Sequence, residues 1–127
     1  MNQRSVLIVD DEVDLRDSVR EVLGDEGYSV FVASNGQEAL SLLQTIPRPS
    51  VIILDLFMPI MGGNEFYRKL RSIPALADIP VLISTSDPSA APAKLPIIRK
   101  PVTLDRLLSS VATVATLGRR QPAPPHS

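Results

Sequence analysis

The chain has 127 residues, 44% of them hydrophobic, which is enough for one compact domain with a buried core. With 13 basic and 14 acidic side chains, the formal net charge of -1 gives no reason to expect nucleic acid or an anionic membrane surface as a partner. Cysteine is absent, which excludes disulfides, thiol chemistry and cysteine-ligated zinc or iron–sulfur sites.

The amino-terminal residues lead into a short apolar run, Ser5 to Val9, that is typical of a strand and ends at Asp10, Asp11 and Glu12. Because acids follow so closely, neither a signal peptide nor a membrane span fits, and we expect a soluble cytoplasmic protein. From Val13 to Asp25, apolar residues recur at positions i, i+4, i+7 and i+8, which predicts a helix with one buried face.

The next segments repeat this alternation of strand and helix. Tyr28 to Ala33 predicts a second strand, and the turn after it leads to a helix with apolar residues on one side, at positions 39, 42, 43 and 46. Ser34 or Asn35 can cap that helix, with Glu38 near the second position of a capping box.

An isolated carboxylate ends the third apolar run, Val51 to Asp55. Prolines bound this run on both sides, which indicates a short strand buried on both faces. Asp55 then falls at the carboxyl end of the strand, the edge where ligands bind in open parallel α/β sheets. We therefore treat Asp55 as a candidate functional residue.

The remaining elements complete an alternating pattern that predicts a parallel sheet with helices on both faces. They are a helix with apolar positions 66, 70 and 73 that Pro74 ends, a strand over Ile79 to Thr85, a short strand over Ile97 to Arg99, and a long helix over Leu104 to Ala115 followed by Gly118. We expect one domain over residues 1–118 and a mobile, proline-rich tail over residues 119–127.

Three acids are expected to share one crevice if the first and third strands are neighbours: Asp10, Asp11 and Asp55. A like-charge pair about 4 Å apart costs on the order of 4 kcal/mol at an effective dielectric near 20. Either a raised pKa or a bound hard cation offsets such repulsion, and oxygen ligands alone favour Mg2+. Asp10 and Asp11 also suit the start of a helix as capping acids, but capping does not account for Asp55.

Motifs at the ends of several strands closely resemble the receiver domain of two-component response regulators, over residues 5 to 117. They are Asp10-Asp11, Asp55 with Met58-Pro59-Ile60-Met61-Gly62-Gly63, Thr85 after an apolar strand, and Lys100-Pro101. The resemblance implies a flavodoxin-like, doubly wound α/β fold with a five-stranded parallel sheet in the order 2-1-3-4-5 and flanking helices.

The resemblance also assigns a role to each acid. It makes Asp55 the phosphoacceptor, a carboxylate nucleophile that attacks a phosphohistidine on a partner. Asp11, Asp55 and the backbone carbonyl of Phe57 would hold Mg2+, and Asp10 would assist, through a bound water.

Two further residues follow from the same resemblance. The ammonium group of Lys100 and the hydroxyl of Thr85 would contact the phosphoryl group, and the Lys100–Pro101 peptide bond is expected to be cis as it is in the family. Taken alone, Thr85 fits an ordinary strand residue equally well, whereas the adjoining Pro101 argues against a solvated surface lysine at position 100.

The implied function is that of a signalling switch and not of an enzyme. A sensor histidine kinase or phosphotransfer protein would phosphorylate the domain, which would then act on an unidentified downstream protein through surface contacts. We expect no attached output domain, because the chain ends soon after the last predicted helix. A homodimer is left open, and contact with nucleic acid or membrane is not expected.

Two departures from the family pattern concern how the signal leaves the domain. The family usually carries an aromatic residue three positions before the lysine, where this chain has Ile97. Prolines 88, 92 and 96 prevent a long helix between Thr85 and Lys100, so we predict that the family's fourth helix is absent or reduced to one turn after an Asp87 cap. Output would then use the first and last helices.

Three other functions were weighed against a working receiver. A degenerate receiver would bind partners independently of phosphorylation, which Ile97 and the shortened fourth helix favour. A haloacid-dehalogenase-like phosphatase needs a second acid two residues after its nucleophile, where this chain has Phe57. A nucleotide-binding flavodoxin-like protein needs a glycine-rich phosphate loop where the first strand instead ends in acids.

Overall fold

Five parallel strands form one sheet in a computed structural model that describes residues 4–120. The spatial order is β2-β1-β3-β4-β5, as the resemblance predicts. Every neighbouring pair is parallel. The strands are β1 (Ser5–Val9), β2 (Ser29–Ala33), β3 (Val51–Asp55), β4 (Val81–Thr85) and β5 (Ile97–Arg99).

Helices cover both faces of this sheet. They are α1 (Val13–Asp25), α2 (Gly36–Leu43), α3 (Gly63–Ser72) and α4 (Leu104–Arg120). Successive strand residues alternate between two cores, since Leu7 packs in the core that contains residues of α2 and α3, whereas Ile8 packs in the core that contains residues of α1 and α4. Each inner strand is therefore apolar on both faces, which is why these strands are continuous hydrophobic runs.

The predicted residues cap the start of α2 in a variant of the capping box, in which Glu38 bonds the residue before the N-cap. The Asn35 side chain accepts a hydrogen bond from the Glu38 backbone N–H at 2.9 Å, so Asn35 is the cap. In return, the Glu38 carboxylate accepts hydrogen bonds from the Ser34 backbone N–H and hydroxyl. The hydrogen bond from the Ser34 backbone is the main reason that the pKa of Glu38 lies below its usual range.

Several element ends differ from the prediction. Helix α2 ends at Leu43 and α3 at Ser72, so the apolar residues at positions 46 and 73 lie beyond their helices, and β4 begins after Pro80. Helix α4 continues through Gly118 to Arg120, because one glycine near a helix end costs only about 1 kcal/mol and does not stop the helix. Residues 121–127 of the predicted tail lie outside the described residues.

The segment between β4 and β5 contains a single turn of 3-10 helix, Pro88–Ala90, in place of a long fourth helix. The Asp87 side chain caps this turn by accepting a hydrogen bond from the Ser89 backbone N–H. The Asn64 side-chain amide, in the first turn of α3, donates a hydrogen bond to the Ala90 carbonyl at 2.9 Å. The predicted loss of the fourth helix is confirmed.

No helix between residues 4 and 120 could span a membrane. In that part of the chain, every helix is too short or too polar to cross a bilayer.

Candidate functional site

Three carboxylates meet at the carboxyl edge of the sheet. Asp10 follows β1 and Asp55 ends β3, and the pairing of Val9 with Leu54 sets these two acids side by side. One oxygen from each of Asp10, Asp11 and Asp55 lies within 4.8 Å of the other two. Asp10 and Asp55 are only 3% and 5% exposed, whereas Asp11 faces solvent, so the crevice is open on one side.

Lys100 reaches the same crevice from the end of β5. Its Nζ atom donates hydrogen bonds to Asp10 Oδ2 at 3.1 Å and to Glu12 Oε1 at 3.0 Å. Asp55 Oδ1 lies 3.6 Å from Nζ, which is ion-pair distance but longer than a hydrogen bond. The Lys100 backbone N–H donates to the Thr85 carbonyl, and the peptide bond between Lys100 and Pro101 is cis, as expected.

The ionised form of the Asp55 carboxyl group is destabilised by its surroundings. Burial, followed by the charge of Asp10, raises the pKa of Asp55 to about 6, and the Lys100 ammonium and a hydrogen bond from the Phe57 backbone N–H only partly oppose this shift. Burial lowers the pKa of Lys100, but the hydrogen bond to Glu12 and the charge of Asp10 outweigh it and leave that pKa raised. Lys100 is therefore a cation, and Asp55 is mainly an anion, at neutral pH.

Thr85 lies at the same edge, at the end of β4. Its side chain is fully buried, and its hydroxyl accepts a hydrogen bond from the Asp87 backbone N–H at 3.1 Å. The Phe57 side chain is 57% exposed on the loop after β3. Its backbone N–H faces the Asp55 carboxylate.

The loop between β3 and α3 is held close to Asp55 by its glycines. The Gly63 backbone N–H donates to the Leu56 carbonyl at 2.9 Å, and a Cβ atom on Gly63 would lie 2.8 Å from Leu56 Cα and still nearer the Asp55 carbonyl. Only glycine permits that approach. Ile60, in the same loop, has a left-handed φ of 70° and is 81% exposed.

Glu12 is the member of this site that the sequence analysis did not single out. It occupies the N-cap position of α1, yet its side chain makes no capping hydrogen bond. Its backbone N–H instead donates to Asp10 Oδ1 at 2.9 Å, so Asp10 does stabilise the entry into α1, as the capping interpretation held. The only signal in the sequence is the third acid of the run Asp10-Asp11-Glu12, and its contact with Lys100 depends on the fold.

A hard divalent cation fits the acidic crevice on chemical grounds. The donor set is oxygen only, and two of the three carboxylates are buried. Burial and then the charge of Asp10 raise the pKa of Asp55 in spite of the nearby Lys100 ammonium. Such a donor set suits Mg2+. Asp10, Asp11 and Asp55 are the residues that could hold it.

Comparison with known proteins finds a family model, the response regulator receiver domain, that matches residues 6–112. The response regulator MprA of Mycolicibacterium vanbaalenii is 41% identical over 86 residues, which is 68% of this chain and 36% of that protein. A response regulator receiver protein of Anaeromyxobacter sp. is 37% identical over 110 residues, or 83% of this chain and 46% of that protein. The chain thus spans less than half of the length of these relatives.

A solved structure extends the similarity to the whole fold. The signal receiver domain of a signal transduction histidine kinase from Syntrophus aciditrophicus superimposes with a TM-score of 0.81 at 31% identity, over 95% of this chain and 96% of that one. The sheet order and the flanking helices described above are those of this fold.

Proposed function

The chain belongs to the response regulator receiver domain family of two-component signalling, and from this premise we propose that it accepts a phosphoryl group on Asp55. The observation that carries the proposal is the position of this carboxylate. Asp55 is almost fully buried, lies within 4.8 Å of two further acids, and has the Lys100 ammonium 3.6 Å away. A nucleophile with an adjacent cation and a candidate cation site has what phosphoryl transfer requires.

The proposed reaction moves one phosphoryl group between two side chains. An Asp55 carboxylate oxygen attacks the phosphorus of a phosphohistidine on the partner, a P–O bond forms, and the P–N bond breaks. The electron pair of that bond returns to the imidazole nitrogen, which takes a proton from solvent. Because the pKa of Asp55 is about 6, the nucleophile is ionised at neutral pH.

Other groups of the site would stabilise the negative charge of the incoming phosphoryl group. Asp10, Asp11, Asp55 and the Phe57 backbone carbonyl would hold Mg2+, which when bound neutralises repulsion between the carboxylate and the incoming phosphoryl group. The Lys100 ammonium would pair with the phosphoryl oxygens.

A second donor would come from β4. Thr85 would turn its hydroxyl from the Asp87 backbone to the same phosphoryl oxygens. That movement would pass the chemical change to Asp87, in the segment between β4 and β5.

The partners follow from the family and the chemistry. A sensor histidine kinase or phosphotransfer protein in the cytoplasm would supply the phosphoryl group, and a downstream protein would read the altered surface. Phosphorylation adds charge and acceptor oxygens at one point, which biases conformations that the domain already samples.

Incubation with acetyl phosphate and Mg2+ tests the proposal. We expect intact-protein mass spectrometry to show the addition of one phosphoryl group, with no addition in Asp55→Asn or when Mg2+ is removed by a chelator. Asp17→Asn, which removes an exposed acid of α1, is the matched control and should be modified like the wild type. Modification of Asp55→Asn to the wild-type extent would refute Asp55 as the acceptor.

A second candidate is a receiver that binds its partner without phosphorylation. Ile97 in place of the family's aromatic residue, and the single turn Pro88–Ala90 in place of a fourth helix, favour it because both alter the expected relay. The same experiment separates the two functions. No mass increase with acetyl phosphate and no binding of beryllofluoride would favour the binding module.

A further inference from the structure

Lys100 is held by two acids, and neither of them is the proposed phosphoacceptor. Its Nζ donates to Asp10 at 3.1 Å and to Glu12 at 3.0 Å, while Asp55 remains at 3.6 Å. These two acids take two of the three N–H donors of the ammonium, and a move toward a phosphoryl group on Asp55 would weaken its contact with at least one of them. The resting position of Lys100 is therefore set by residues that compete with the phosphoryl oxygens.

Glu12 is the acceptor that can be exchanged at small cost. Asp10 is buried, and its second oxygen is occupied by the Glu12 backbone N–H, so it is fixed in place. The Glu12 side chain is 63% exposed, and water can solvate its carboxylate as soon as Lys100 leaves.

The position of Glu12 has no separate structural explanation. As the N-cap residue of α1 it makes no side-chain capping bond. It is also outside the set of acids that could share a cation, which among the described residues comprises Asp10, Asp11 and Asp55. Its carboxylate instead extends to the end of β5 and contacts Lys100.

We propose that Glu12 is a positioning residue that holds the Lys100 ammonium outside hydrogen-bond distance of Asp55 until a phosphoryl group displaces it. The inference rests on the proposed function, in which Asp55 is the phosphoacceptor. Glu12 then lowers the affinity for a phosphoryl group, because binding draws the Lys100 ammonium away from the Glu12 carboxylate. Removing Glu12 leaves Lys100 with its hydrogen bond to Asp10 alone, so the ammonium turns toward Asp55 more easily.

The affinity for beryllofluoride, a phosphoryl mimic, tests this competition at saturating Mg2+. Exposed ion pairs are weak, so we expect Glu12→Ala to bind the mimic about three-fold more tightly than the wild type. Glu12→Gln keeps a hydrogen-bond acceptor without the charge and should fall between the two. The gain should shrink at high salt, because salt screens exposed charge pairs.

Asp14→Ala is the matched control, since it removes an exposed acid from the first turn of α1 that makes no contact with Lys100 among the described ion pairs. It should bind beryllofluoride as the wild type does. An equal gain in Asp14→Ala and Glu12→Ala would overturn the proposal, because the effect would then be one of general charge.

A crystal structure of Glu12→Ala without Mg2+ or mimic gives a second readout that does not depend on phosphorylation. We expect Lys100 Nζ to move within about 3.2 Å of an Asp55 oxygen. An unmoved Lys100 would overturn the positioning role. If the wild type binds no mimic and accepts no phosphoryl group, the proposed function fails. The position of Lys100 in the Glu12→Ala crystal structure still decides whether Glu12 positions it.

Discussion

The surroundings of Asp55 destabilise the negative charge of its carboxylate. Its ordinary pKa of 3.8 rises to about 6, first because the carboxyl group is buried and then because Asp10 is adjacent. A shift of this size corresponds to roughly 3 kcal/mol at most, and partial contact with solvent reduces that figure. The unmodified protein thus carries an electrostatic penalty at the residue where we propose that a cation and a phosphoryl group bind.

Asp55→Asn should remove that penalty. Without divalent cation at about pH 8, we expect the free energy of unfolding to rise by about 1–2 kcal/mol in urea titrations. The folded pKa of about 6 lies above the unfolded value, so the native state binds extra protons between the two. The penalty is therefore complete above about pH 6 and absent below about pH 4, and the gain in Asp55→Asn should vanish with it.

Asp17→Asn provides the control for the loss of one negative charge, because this acid of α1 is exposed. Its stability relative to the wild type should not vary in the same pH range. An Asp55→Asn variant that is no more stable than the wild type at about pH 8 would contradict the electrostatic interpretation.

At the scale of elements, the predicted ends of β1, β5 and α1 are confirmed, whereas β2 and β4 begin one and two residues later than predicted. The bounds of β1 and β5 were predicted correctly because each apolar run is short and polar residues or prolines limit it. Helix α2 ends early because the Leu42 carbonyl accepts hydrogen bonds from the backbone of both Thr45 and Ile46, a turn that apolar periodicity does not reveal.

Some individual side-chain contacts between distant elements could not be predicted from the sequence. The motifs predicted that Asp10, Asp11 and Asp55 meet, since parallel strands bring their carboxyl ends to one edge. They did not predict that Glu12 contacts Lys100, or that Asn64 reaches the turn between β4 and β5, because both contacts depend on side-chain positions in the folded protein.

One side chain of α3, Asn64, makes a hydrogen bond to the turn Pro88–Ala90. Asn64 donates to the Ala90 carbonyl, while the Ala90 and Ala91 backbone N–H groups donate within the turn at 3.1 Å. Asn64→Ala should therefore release this segment, with amide hydrogen exchange at Ala90 and Ala91 faster by roughly five-fold, the equivalent of one hydrogen bond.

Ser72→Ala is the control for this experiment, because the Ser72 hydroxyl bonds only locally to the Lys69 carbonyl at the end of α3. Exchange at Ala90 and Ala91 should be unchanged in that variant. Equal protection of the turn in Asn64→Ala and in the wild type would show that packing alone holds the segment. Ala90, Ala91 and Leu95 do pack against the core that contains residues of α2 and α3.

At the scale of the whole molecule, the missing fourth helix changes the surface from which a signal could leave. Ile97 is 38% exposed and, with Pro96, lines an open groove of about 220 Å³ between β5 and α4. An aliphatic side chain at this place cannot make the ring rotation that the family resemblance implies. Use of α1 and α4 for output, predicted from the sequence, remains a prediction.

Mg2+ should stabilise the entire fold, since its proposed ligands come from two strands that pair only in the native state. A ligand at 100 times its dissociation constant adds about 2.7 kcal/mol to the free energy of unfolding, so we expect the melting temperature to rise with Mg2+ concentration. Asp11→Asn should need more Mg2+ for the same rise, because it removes the exposed ligand.

The Asp55→Asn variant tests whether Mg2+ raises the melting temperature by neutralising the repulsion between the acids of the crevice. That variant has already lost one of the charges that a cation would neutralise, so Mg2+ should raise its melting temperature less than that of the wild type. Asp17→Asn should respond as the wild type does. An equal rise in Asp11→Asn, Asp55→Asn and wild type would mean that Mg2+ acts elsewhere on the surface, and the crevice would lose its assignment as the cation site.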